Sequence, residues 1–475
     1  MLFRHLYGFL GCKQPCLRLW ISSLTDEAIT EGMANLLPCD RFDNLFLAAD
    51  SRNRADWLLG VNSSYAICKA VGFGNNSLGR VQTPVLAEIC RRYRERENHM
   101  PADSWPVFIS LCKNDRILKM RHVDDLVVRR EALALYEDCK AAKSVRITAV
   151  GKQTEEIGAP ALYNLAELQK DANRYHSLTA IQVQEIAQSL YEKKLISYPR
   201  TSSRLLPKDV YDMLPPVVEK MLSCKEFRQY AGTVDLAAPR DSIEAQDTME
   251  HHAIIITGTQ PGKLDREEML VYTLIVGRVL ETFMPPCKVE YTTVDAVCAA
   301  RKFRIRTYRI LEKGWLGIFE REHLVAKGCM PYLVMPDLFQ EEILPVAGCS
   351  LIHKKSLPVS PYTDEELVNY MDKAGLGTVS TRTNILRTLL ERKYIRYSGK
   401  YVVPTPKGLF LYETVRGMKV ADASLTSGWE TELARIERGE LSQGKFLDGV
   451  LETVNEVTGE IFRNHPVEKR PQGTT

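Results

Sequence analysis

Apolar and polar positions switch between two periods along this chain. Residues 22–97 carry helical spacing. Thr25-Asp26-Glu27 offers a capping hydroxyl followed by early acids. After a Gly- and Asn-rich stretch at 71–78, a helix is predicted from about Pro84 to Glu97, with Pro84 in its first turn. Over 101–150 the period changes. Ser104–Leu111 and Ser144–Val150 combine β-branched residues with partial alternation and read as strands. Helix returns over 160–197, where Val183, Ile186, Ala187 and Leu190 fall at i, i+3, i+4 and i+7, and Ser177 or Thr179 supplies the cap. A further helix over 268–284 stops at Pro285-Pro286. Residues 288–346 are β again, with Val289–Val297 the clearest strand.

From residue 363 the pattern becomes a small unit. Thr363-x-x-Glu366 is a capping box that opens a helix to about Ala374. Gly375 and Gly377 end it, and Ser380 caps a second helix with Ile385, Leu386, Leu389 and Leu390 facing inward. Tyr394–Tyr397, the turn Ser398-Gly399 and Lys400–Val403 then make a hairpin. Helix, helix and two-stranded wing is a winged-helix-like order. The whole order is helical, β, helical, β, helical. It predicts an α+β multidomain protein, with helices inserted into a β layer that is itself inserted into a helical unit.

The 475 residues allow two to four domains, at roughly 100–200 residues each. Lys and Arg total 63 against 60 Asp and Glu, a net charge of +3, so bulk charge does not announce a nucleic-acid binder. Locally the picture differs: residues 371–400 hold seven Lys and Arg against Asp372 and Glu391. The 12 cysteines form no CxxC pair, which excludes a cysteine-ligated zinc ribbon and fits free thiols in a reducing compartment. No apolar run approaches the ~18 residues of a membrane span. Arg4 and His5 break the apolar start, so it does not read as a signal peptide. The expectation is a cytoplasmic protein with no membrane partner.

Four stretches carry candidate chemistry. In Leu195–Pro207, Tyr198 follows an amphipathic helix and Pro199 holds it on a turn, with Arg200 and Arg204 close behind. A phenol is a weak nucleophile at neutral pH. Nearby guanidiniums favour phenolate and neutralise charge on an attacked phosphate. Taken alone, the same residues also describe a half-buried tyrosine beside a stacked arginine. Gly79–Pro84 is a glycine turn entering a helix N-terminus, with Arg80, Gln82 and Thr83 as phosphate-binding candidates or parts of an ordinary helix start. His251-His252 lacks a third ligand at metal spacing, so His251 reads better as a phosphate contact. Gly375–Arg382 offers Thr378, backbone amides and Arg382 at a helix start, or simply a solvated cap. GxSxG, P-loop, HExxH, GxGxxG and Asp-x-Asp patterns are all missing from the sequence.

Together these stretches resemble type IA DNA topoisomerases, the topoisomerase III branch in particular, over nearly the whole chain. Leu19–Ile29, Ala55-Asp-Trp-Leu58, Ser77–Pro84, Leu162-Tyr-Asn-Leu165, Leu168–Arg174, Ile196–Thr201, His251-x-Ala-Ile-Ile255 and Gly375–Arg382 look like family motifs in family order. The resemblance implies a toroidal core. Residues 1–24 would be a remnant of a Toprim domain. Residues 25–100 and 360–475 would form a helical, winged-helix-like DNA-binding domain. Residues 101–157 and 285–359 would be a β arch, and 158–284 a helical domain carrying the catalytic tyrosine. Tyr198 would cleave single-stranded DNA through a 5′-phosphotyrosine and Arg200 would stabilise the scissile phosphate. Arg80, Gln82, Thr83, His251, Thr378 and Arg382 would bind the strand. Strand passage and religation would follow without ATP.

The family pattern is not matched everywhere. Ser202 stands where an acid is usual, Ile256 where Pro is, and Tyr65 where Arg is. The family also uses Mg2+ held by acidic motifs of its Toprim domain, and none of those ligands is found in this sequence. Phe3–Cys12 resembles that domain's last helix. The resemblance therefore implies an N-terminally truncated enzyme, impaired alone. The alternative is a noncatalytic remnant that binds single-stranded DNA. A winged-helix regulator would account for 363–403 only. Oligomeric state is not legible.

Overall fold

The structure is a computed structural model that describes residues 2–20, 26–72, 76–224, 227–235, 251–331, 336–379 and 381–465. Thr25 and Ser380, named above as helix caps, lie outside the described residues. No described helix is long and apolar enough to cross a membrane. All 12 cysteines are free thiols.

The β-rich sequence builds one closed sheet. Its strands are β1 (Val107–Lys113), β2 (Arg116–His122), β3 (Ser144–Ile157), β4 (Cys287–Cys298), β5 (Arg301–Glu312), β6 (Met330–Pro331) and β7 (Ile343–Leu351). They run in the order β2-β1-β7-β3-β4-β5-β6, and β2 also pairs with β5 through Arg121 opposite Arg304 and His122 opposite Phe303. That extra pairing closes six strands into a barrel. Alternation along the strands places Val107, Ile109, Leu111, Ile147, Val294, Ala296 and Phe303 inside. Within the stretch read above as strand only, a helix at Arg129–Ala141 intervenes and packs against β7 and β1. Its inward residues Ala132, Leu135 and Cys139 recur at i, i+3 and i+7, a helical spacing outweighed in the sequence by the strands on either side.

Two helical units flank the barrel. One contains α1 (Asp43–Val71) and α2 (Gln82–Glu97). The second contains α3 (Leu165–His176), α4 (Ala180–Glu192) and α5 (Arg266–Thr282). Thr179 caps α4 in a full capping box with Gln182, while Ser177 adopts the left-handed conformation that ends α3. Asp265 and Glu268 make the same box at α5.

The distant C-terminal segment joins the first unit. There α6 (Asp364–Lys373) starts at the Thr363 capping box, and α7 (Arg382–Glu391) follows. Strands Ile395–Ser398 and Tyr401–Pro404 form the wing, with Tyr362–Thr363 as a third strand beside it. Last come α8 (Ala423–Glu437) and α9 (Gln443–Asn464), which lie along α1. One hydrophobic core therefore joins residues near 48–90 with others at 362–461. A second core spans the α3–α5 unit and continues to Val325, and the third fills the barrel.

Candidate active site

Tyr198 is placed by a short strand-like segment beyond α4. Lys194 takes a positive φ of 58°, which reverses the chain after the helix. Residues 195–197 then lie antiparallel to 253–257. The Ser197 amide donates to the Ile255 carbonyl at 2.9 Å, the Thr257 amide donates to the Leu195 carbonyl at 3.1 Å, and Ile196 bridges Ile256. The same 253–257 segment is held on its other side, where the Ile254 amide donates to the Tyr163 carbonyl at 2.7 Å. Leu195, Ile196 and Ala253–Ile256 are buried, so the segment is anchored in the second core while Tyr198 stays half-buried at its end.

The tyrosine ring sits in an aromatic corner. Its centroid is 4.4 Å from that of His251, and Tyr191 of α4 meets it edge-on at 5.5 Å. Burial, and then the neighbouring Tyr198, pushes the Tyr191 phenol upward, so it stays neutral. The Thr201 hydroxyl donates to the His251 carbonyl at 3.0 Å and ties the two motifs together on the far side of Arg200.

Two cationic-capable groups of this corner have buried nitrogens with no partner: Arg200 Nε and His251 Nδ1. Buried polar atoms are rarely left unpaired. The Arg200 nitrogen is a donor, and the His251 nitrogen is one when it carries the proton, so the pair suits an anionic group that arrives from solution. Arg204, read above as a second guanidinium near the phenol, is committed elsewhere. It donates to the Leu162 carbonyl at 3.1 Å and the Ala161 carbonyl at 3.0 Å, so it braces the loop before α3. His252 points inward, and burial depresses its pKa, which keeps it neutral.

The other candidate residues lie in the first helical unit and its C-terminal partner. Arg80 is buried, donating to Asp56 at 2.7 Å and to Glu430 of α8 at 2.8 Å. Burial raises Glu430, but Arg52 and Arg80 outweigh it and hold the carboxyl below its usual range. Thr83 is also buried, and its hydroxyl accepts the Gly79 amide at 2.9 Å. These two side chains face the interior and shape the turn into α2. Gln82 opens α2 and accepts from Arg392 at 2.7 Å. Thr378 and Thr381 share a hydroxyl contact of 3.0 Å in the turn before α7. Arg382 pairs with Asp372 at 2.7 Å, and its Nε is a third buried donor without a partner.

One surface feature went unread in the sequence. Trp57, Val61 and Tyr65 are exposed along α1, at i, i+4 and i+8, with Lys69 next over the Tyr65 ring at 5.7 Å. Their spacing opposite the buried Ala55, Leu59, Ser63 and Ala66 was the available signal. Exposed aromatics interleaved with cations suit stacking of unpaired bases. As for a metal, no group of three or more His, Cys, Asp or Glu side chains among the described residues converges to hold one. The described residues therefore do not supply a site for Mg2+, and no step below passes through it.

A family model described as DNA topoisomerase matches residues 40–448. The chain is 29% identical over 480 residues to DNA topoisomerase 3 of Bacillus licheniformis, covering 94% of this chain and 65% of that protein. It is 28% identical to DNA topoisomerase 3 of Bacillus cereus, covering 96% and 66%. The chain thus spans about two thirds of the length of these relatives. Among solved structures it resembles full-length topoisomerase I from Thermotoga maritima, with a TM-score of 0.76, 20% identity, and coverage of 96% of this chain and 75% of that one. With the family model spanning most of the sequence, the chain belongs to the type IA DNA topoisomerase family.

Proposed function

We propose that the chain cleaves and rejoins single-stranded DNA through Tyr198. The observation that carries this reading is the corner itself: a half-buried phenol whose ring lies tilted 4.4 Å from that of His251, with unpartnered buried nitrogens on both His251 and Arg200. A bound phosphodiester would give those nitrogens their missing acceptor. The Tyr198 oxygen attacks phosphorus as the bond to the 3′ oxygen breaks, and the phenolic proton ends on that oxygen. One phosphodiester replaces another, so the reverse reaction religates the strand without ATP. Arg200 and His251 act on the charge that develops at phosphorus.

The remaining candidates divide by placement. Gln82, Thr378 and Arg382 are offered as strand contacts. Arg80 and Thr83 serve the same surface from beneath by fixing the turn into α2. On α1, Trp57 and Tyr65 lie eight residues apart, about 12 Å along a helix. That separation suits two stacked bases of one strand. Strand passage through the transient break belongs to the same proposal.

The test is trapping of an internally labelled single-stranded oligonucleotide, with magnesium present, in denaturing gels. The expected result is a covalent adduct that is lost in Tyr198→Phe while binding is retained. Binding without any adduct in the unsubstituted chain would replace this reading with a noncatalytic single-strand binder.

A further inference from the structure

The α3–α5 unit that carries Tyr198 meets the α6–α7 and wing unit that carries Arg382 along a polar seam. Its rim is made of long, partly exposed ion pairs, while Gln169, Thr383 and the core residues Ala166 and Ala180 are buried within it. Arg174 of α3 pairs with Glu365, and Arg387 pairs with Glu185 of α4 at 2.5 Å. The Gln169 amide donates to the Thr383 hydroxyl at 3.2 Å. Exposed ion pairs of this kind hold little and exchange readily with water.

Asp364 is different. It is 1% exposed and sits at the first turn of α6. Its Oδ2 accepts the Ala180 backbone amide at 2.7 Å and the Tyr397 hydroxyl at 2.9 Å, while Oδ1 lies 3.1 Å from the same hydroxyl. Ala180 is the first residue of α4, so its amide has no partner within its own helix. The Thr179 side chain is already used on the Gln182 amide. A carboxylate from the neighbouring unit therefore completes the cap of α4, at the positive end of that helix and of its own. Tyr397, from the wing, fixes the carboxylate from behind.

A buried apolar seam would be costly to open. A buried carboxylate that accepts two donors gives up its contacts to water with a small net change. The seam therefore combines the directional Asp364 contacts with the buried Gln169–Thr383 bond, two small apolar residues and exchangeable ion pairs at its rim.

We propose that Asp364 is a positioning residue that docks the Tyr198-bearing helices onto the unit carrying Arg382, and whose contacts part when the two units separate around a cleaved strand. The docking role stands on the geometry alone. Its link to cleavage rests on the function proposed above.

The experiment places a donor and an acceptor fluorophore at the exposed Glu192, beyond Ala180 on α4, and at Lys400 on the wing. Distances are compared for the unsubstituted chain, Asp364→Asn and Tyr397→Phe. Asp364→Asn is expected to raise the open-to-closed ratio by about tenfold, since it removes a charge-assisted bond, and Tyr397→Phe by a few-fold. Adduct yield with the labelled oligonucleotide is expected to fall in the same order, with single-strand affinity little changed. An unaltered distance distribution in both variants, each folded by circular dichroism, would overturn the proposal. So would faster hydrogen exchange confined to the first turn of α4 without a change in distance, because that pattern marks a local cap. If the unsubstituted chain forms no adduct, the cleavage reading fails, and the distance measurement still decides the docking role.

Discussion

Removing the charge of Asp171 tests how the second core tolerates its arginines. Asp171 Oδ2 accepts from the Tyr163 hydroxyl at 2.5 Å, from Arg278 at 2.9 Å and from Arg321 at 3.0 Å. Both guanidiniums are almost wholly buried, with side-chain exposures of 5% and 2%. The other acid within reach is Glu281, fully buried, with an oxygen 3.0 Å from Arg278 Nε but not aligned as a hydrogen bond. Burial pushes Glu281 up to about 7 against the pull of both arginines. Asp171→Asn keeps the volume and leaves two buried cations facing one reluctant acid. Breaking a buried ion pair from one side costs about 3–5 kcal/mol. Fuller ionisation of Glu281 offsets part of that, so a loss of about 3 kcal/mol is expected at pH 7.

The pH dependence supplies a second reading. Glu281 has its folded pKa raised, so the folded state holds a proton that the unfolded state releases. Its contribution favours folding at low pH and is lost as pH rises from about 4.5 to about 7, by at most about 1.4 kcal/mol per pH unit. In Asp171→Asn the arginines draw Glu281 down and that slope should flatten. Urea unfolding at pH 5, 6 and 7, followed by hydrogen exchange of the α5 amides, measures both effects. A loss below about 1 kcal/mol at pH 7, or an unchanged slope, would refute the argument.

Other outcomes are equally specific. Arg200→Ala should leave single-strand affinity nearly intact but slow single-turnover adduct formation by about a hundredfold, as expected for one lost electrostatic donor. Trp57→Ala and Tyr65→Ala should each weaken oligonucleotide binding by about 1–3 kcal/mol, measured by fluorescence anisotropy at fixed salt. Arg80→Met should lower the unfolding midpoint through the stranded Asp56 and Glu430, by about 3 kcal/mol in a urea titration. Thr179→Ala, which removes half of the capping box of α4, should cost about 1 kcal/mol in the same assay.

Local rules were legible wherever neighbours in sequence were neighbours in space. The boxes at Thr179 and Thr363, the helix stop before Pro285-Pro286 and the hairpin at Ser398-Gly399 each depend on a few adjacent residues. The fate of a charge was not legible in that way. Arg80 pairs with Glu430, 350 residues away, and Arg204 donates to carbonyls more than 40 residues upstream. Partners at such distances leave no mark on the local pattern. The helix at Arg129–Ala141 was hidden for a related reason: it fills a gap between strands whose own signal dominates the window. The exposed stripe at Trp57 and Tyr65 needed only a helical wheel, but it is meaningful once α8 and α9 are seen to cover the opposite face of α1.

The order of strands around the barrel also fixes a sequence of events on the ribosome. β1, β2 and β3 are complete at residue 157, yet β3 cannot find its neighbour β4 until residue 287 and beyond has emerged. At about 5–20 residues per second, β3 waits on the order of ten seconds for β4, with only the β1–β2 hairpin formed before it. During that interval the α3–α5 unit emerges between them. It can settle on its own contacts before β4 and β5 arrive and before β7, made last of the six, closes the ring between β1 and β3. α1 waits longer still, since α8 and α9, which cover it, follow only from residue 423 onward. Nascent chains of this protein should therefore depend on chaperone cover most while α1 awaits α8 and α9.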